Sequence, residues 1–113
     1  MSNRLIPDSL VSQALETLAT TAEATAAARA IRLRAEFRRK TVRAGLVLKA
    51  EEKTADGRAA WAESHISYIK ACEDEVEATE RDELLRAQRN DAATVIEAWR
   101  TEQASQRAGS SFK

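Results

Sequence analysis

The stretch "EEKTADGRAAWAESH", residues 51–65, decides the fold. Thr54 is a good helix-capping residue and Gly57 a weak helix former, yet neither forbids one helix from running straight through. The choice is between a rod and a hairpin, and charge on either side makes it. Between Arg29 and Lys49 stand eight basic residues against one acid, Glu36, whereas between Glu63 and Glu83 stand eight acids against Lys70 and Arg81. Reversal near Thr54 lays these two segments flank to flank; a rod leaves them end to end. Exposed ion pairs contribute only ~0 to 1 kcal/mol each, so the matched charges act mainly on register, favouring one antiparallel alignment over its competitors. The chain is therefore expected to be all-α, a long antiparallel helical hairpin.

Working outward, "MSNRLIPDSL" reads as an arm over 1–8: Pro7 keeps the residue before it extended, and Asp8 or Ser9 can accept from the first free amides. A first helix follows over 9–53, interrupted by nothing stronger than Gly45, then a turn near 54–57 and a second helix over 55–107. Gly109 and "SSFK" supply a stop and a tail over 108–113. Apolar positions Val11, Leu15, Leu18, Ala22, Ala26, Ala30, Leu33, Phe37, Ala44 and Leu48 follow steps of three and four with one gap, the pattern of a helix seam. On the second helix His65, Ile69, Cys72, Val76 and Thr79 form one stretch, and Leu85, Gln88, Ala92, Val95 and Trp99 another. The fold-back is expected to put Trp61 near Leu48, and Trp99 near Val11 and Leu15. Leu15, Leu18, Leu33, Phe37, Leu48, Trp61, Ile69, Val76, Leu85, Val95 and Trp99 are thus the expected hairpin or oligomer seam. Ile31, Val42, Leu46, Ile66, Leu84 and Ile96 remain for another face, which implies self-association into a four-helix bundle or a ring.

The totals agree with this reading. With 43% hydrophobic residues, 32% charged residues, three glycines and one proline, the composition favours helix, and 113 residues leave room for one small domain. Eighteen basic residues balance eighteen acidic ones, so net charge points to neither nucleic acid nor membrane. No apolar run nears the ~20 residues that span a bilayer. The single cysteine, Cys72, excludes an internal disulfide, and no signal segment opens the chain, so the cytoplasm is the expected compartment.

Chemistry is sparse. His65 and Cys72 share a helical face, but two ligands fall short of the four of a structural zinc site. The glycines are isolated, so no phosphate-cradling loop exists, and no nucleophile elbow appears. The expectation is a non-enzyme without cofactor, metal or small-molecule substrate. The run "RAIRLRAEFRRKTVR" is the one segment suited to a nucleic-acid backbone, because arginines spaced along a helix can neutralise successive phosphates. Its candidate contacts are Arg29, Arg32, Arg38, Arg39, Lys40 and Arg43, with single-stranded DNA as the ligand. The competing role is internal charge matching, and Phe37 is the one aromatic in the run on which a base could stack.

The segment over 48–108, from "LKAEEKTADGRAAW" to "AWRTEQASQRA", resembles a group of small phage-encoded, coiled-coil-like helical proteins. The likeness lies in a charged helix at Leu48 to Glu52, a lysine-threonine turn at Lys53 and Thr54, and an alanine-rich acidic helix from Trp61 to Glu83. Trp99-Arg100 followed by Ala104-Ser105 closes it. The group tends to carry a glutamate three residues after the threonine, completing a capping box; Gly57 stands there instead, which implies a looser cap. The resemblance implies a phage origin near genes of DNA recombination and replication and supplies no catalytic residues. Three functions are then expected to compete: an oligomeric accessory protein of phage DNA metabolism with a protein partner, a virion scaffold element, and a host-directed inhibitor.

Overall fold

A computed structural model describes residues 5–110; residues 1–4 and 111–113, with half of the expected arm and most of the "SSFK" tail, lie outside the described residues. Three helices, α1 (Asp8–Lys49), α2 (Ala55–Ser64) and α3 (Ile66–Ser110), account for nearly all of the described residues, which hold no strand. The fold is the expected all-α antiparallel helical hairpin. No helix among the described residues is long and apolar enough to cross a membrane.

The reversal is built by side chains that satisfy helix ends. α1 stops at Lys49, four residues before the expected boundary, and the Ala50 amide closes its last turn on the Leu46 and Val47 carbonyls at 3.0 and 3.3 Å. Thr54 is the N-cap of α2: its Oγ1 accepts from the Gly57 amide at 3.0 Å, satisfying one of the donors a helix start leaves open. Arg58 Nε donates to the Glu52 carbonyl at 2.8 Å, tying the loop to the helix it precedes. Gly57 has no side chain to complete a capping box, and it leaves room for the loop. A Cβ there would stand 2.9 Å from Thr54 Oγ1 and 3.2 Å from Glu52 Cβ, so the missing side chain is what lets the loop close over the helix start.

The second helix, expected to be continuous over 55–107, breaks at His65 and runs on to Ser110, past Gly109. His65 is extended (φ −73°, ψ 140°) and its amide donates to the Ala62 carbonyl at 3.2 Å, ending α2. Its own carbonyl accepts from the amides of Tyr68 and Ile69, and its Nδ1 accepts from the Ser67 amide at 3.1 Å. One histidine thus ends one helix and caps the next. Its ring also lies 5.4 Å from that of Trp61, tilted by 55°. Leu48, expected to anchor Trp61, is 87% exposed.

The chain divides into two compact units. Ala26–Glu83 forms one, containing the reversal. Here one row of buried and half-buried positions runs through Ala28, Arg32, Ala35, Arg39, Val42 and Leu46 on α1, and another through Tyr68, Ala71, Glu75, Ala78 and Asp82 on α3. These step by alternating threes and fours, the heptad of a coiled-coil seam. The other unit joins the chain up to Thr25 with the chain from Leu84 onward. Its corresponding positions are Val11, Ala14, Leu18, Thr21 and Thr25 on α1, and Leu85, Arg89, Ala92, Ile96, Trp99 and Gln103 on α3. Both units run their helices antiparallel: Arg32 meets Asp82 while Arg39 meets Glu75, and Thr21 meets Arg89 while the Leu5 amide meets Glu102.

Of the nine buried apolar residues among those described, six are alanines, so the helices can approach closely but bury little apolar surface per turn. Polar residues fill much of the rest. Thr21 and Thr25 return their hydroxyl protons to carbonyls one turn back, at 2.6 and 2.7 Å, which lets them sit half-buried in the seam.

Candidate interaction site

The basic run has two populations. Arg32, Arg39 and Arg43 face the hairpin's own acids. Arg32 Nη1 donates to Asp82 Oδ2 at 3.0 Å, with the Asp82 side chain fully buried. Arg39 Nε pairs with Glu75, and Arg43 Nε with Glu63 at 3.1 Å. The hydrogen bonds of Arg39 to Glu75 and then to Tyr68 hold its guanidinium above even its ordinary strongly basic range. Lys40 reaches Glu36, four residues earlier, at 3.0 Å; that hydrogen bond, helped by the lysine's charge, holds the Glu36 carboxyl below its ordinary range. Arg29, Arg34 and Arg38 are exposed and have no ion pair among the described residues. Of the six candidate nucleic-acid contacts, only Arg29 and Arg38 are therefore unengaged, and Arg34, which the sequence reading did not single out, joins them.

The other unit carries its own inward arginine. Arg89 Nη1 donates to the Leu18 carbonyl at 2.8 Å and to Thr21 Oγ1 at 2.9 Å. Near its end the Leu5 and Ile6 amides donate to the two oxygens of Glu102, at 2.7 and 3.1 Å.

The expected seam residues divide in the same way. Leu85 is buried, and Leu18, Val95 and Trp99 are half-buried. Leu15, Leu33, Phe37, Leu48, Trp61, Ile69 and Val76 are exposed in the single chain. At about 100° per residue, Ala30, Leu33, Phe37, Ala44 and Leu48 lie on the side of α1 directly opposite its heptad seam. The most evenly apolar stripe of the sequence is thus the outer face of α1. Of the positions set aside for a further face, Leu46 is buried, Val42 and Ile96 are half-buried, and Ile31, Ile66 and Leu84 are exposed.

α3 carries an apolar groove along its flank in the same unit. Ile69, Cys72 and Val76 floor a shallow groove of about 460 Å³, rimmed by Glu73, Glu77 and Glu80, with Glu63 of α2 at one end. Its three rim carboxylates on α3 have no ion pair among the described residues, unlike Glu63 and Glu75. Cys72, expected at a helix face with His65, is a half-buried free thiol in this groove, while the His65 Nδ1 caps α3.

Comparison with protein-family models, with curated proteins and with solved structures finds no match.

Proposed function

We propose that this is a non-enzymatic, phage-encoded helical accessory protein that self-assembles and docks a protein partner in support of DNA recombination or replication. One observation supports it above others. The charges that could have made a nucleic-acid groove are largely turned inward as ion pairs, while large apolar side chains such as Phe37, 72% exposed, and Val76, 59% exposed, stand outside beside unengaged charges. Apolar side chains ringed by charge are the ordinary composition of a docking face.

The test is light scattering of the pure protein, with and without a single-stranded oligonucleotide, at low and high salt. The protein is expected to assemble without DNA. Any DNA binding rests on Arg29, Arg34 and Arg38, is lost in the triple glutamine variant, and falls with a log–log salt slope of about −2, from three contacts at roughly 0.7 each. A monomer throughout, or assembly only on DNA, overturns the reading.

A further inference from the structure

We infer that the outer face of α1 in one copy docks into the acidic groove on α3 of the next, building a head-to-tail stack in which all copies point the same way. The inference rests on the self-assembly proposed above and names its contact.

Both faces belong to the unit Ala26–Glu83, and they repeat one pattern with opposite charge. On α1, Leu33 and Phe37 stand four residues apart, each followed by an arginine, Arg34 and Arg38. On α3, Cys72 and Val76 stand four apart, each followed by a glutamate, Glu73 and Glu77. Apolar ridge and charged flank therefore have the same spacing and lie on the same side of each helix. When two helices pack face to face, like-sided flanks meet only if the helices run antiparallel, so Arg34 and Arg38 reach Glu77 and Glu73 only in that orientation. Flanking charges of this kind set partner and direction.

Within one copy α1 and α3 are themselves antiparallel, so pairing α1 antiparallel to the next copy's α3 leaves every α1 parallel to every other. The two faces also point in different directions: that of α1 lies directly opposite its seam, while Ile69, Cys72 and Val76 lie on the flank of α3, about 115° from its seam. A copy cannot satisfy both with a single partner, and the contact is heterologous: it closes as a ring or continues as a stack.

Two substitutions at exposed positions test this. Phe37→Glu places an acid where it meets the acidic groove, and Val76→Arg places a base where it meets the arginines. Circular dichroism should show both folded, and sedimentation should show each alone as a monomer. Mixed, they should assemble again, since each keeps one intact face and the two altered faces carry opposite charges. The fourfold charge exchange Arg34→Glu, Arg38→Glu, Glu73→Arg and Glu77→Arg in one chain should restore assembly. If the wild-type chain assembles and both single variants assemble like it, the inference fails while self-assembly stands. If one variant alone dissociates and mixing recovers nothing, the interface joins like faces and the inference also fails. A wild-type monomer overturns self-assembly itself.

Discussion

Asp82 is fully buried yet occupies a seam position, where an aliphatic residue would ordinarily pack. Its counter-ion, Arg32, is about one-third exposed, so the pair is asymmetric: the base can hydrate and the acid cannot. Removing the arginine is therefore the more damaging change. Arg32→Leu should lower stability, as expected when a buried charge loses one of its partners. The double variant Arg32→Leu, Asp82→Leu should recover that loss and match or exceed the wild type, because two leucines bury well where two ions must first be desolvated. Urea unfolding of the four chains completes the cycle; a double variant as weak as the single would show that the pair supplies net stability. If the double variant matches the wild type, what the ions contribute is alignment. Shifting α3 by one heptad so that Arg89 reached the position of Asp82 would set two arginines against each other, so Arg32 opposes a slip in that direction.

At the scale of the element, the competing stripes on α1 give opposite expectations for two leucines only two residues apart. Leu46 is buried and Leu48 is 87% exposed. Leu46→Ala should lower stability by about 2 to 5 kcal/mol, whereas Leu48→Ala in the monomeric Phe37→Glu background should stay within about 0.5 kcal/mol. Chemical denaturation of both distinguishes them, and equal losses would contradict the heptad assignment. The same pair of leucines shows what the sequence could and could not disclose. Helix content, the reversal, its threonine cap and the facing of opposite charges were all readable, because composition, capping chemistry and charge blocks are local or additive. The seam was not. A search for apolar periodicity follows Leu33, Phe37 and Leu48, while the true inner stripe passes through Thr21, Thr25, Arg32 and Arg39, residues that qualify only once their partners Arg89, Asp82 and Glu75 are in place. A signal did exist: Arg32, Arg39, Glu75 and Asp82 all fall on heptads otherwise made of alanines and a few larger apolar or aromatic residues. The break at His65 was equally hidden, since histidine caps a helix only when its ring can turn back to the following amides.

For the whole molecule, the two classes of ion pair separate folding from association. Arg32 and Asp82 are shielded by the seam, whereas Arg34, Arg38, Glu73 and Glu77 stand in water and are screened over about 8 Å at physiological ionic strength. Raising salt well above that level should shrink assemblies of the wild-type chain in sedimentation, yet hardly move the thermal melting of the monomeric Phe37→Glu variant. Parallel loss of both would mean that the hairpin depends on its exposed charges.

The outer face of α1 and the groove of α3 are different surfaces of one hairpin, and this gives the assembly a kinetics as well as a geometry. Growth has two chemically distinct tips, one presenting arginines and the other glutamates. A chain carrying Phe37→Glu can still accept a neighbour in its groove but offers nothing onward, so a trace of it caps one tip and leaves the other active. Mean length should then fall with the mole fraction of capper, as in a linear polymerisation stopped by a monofunctional unit.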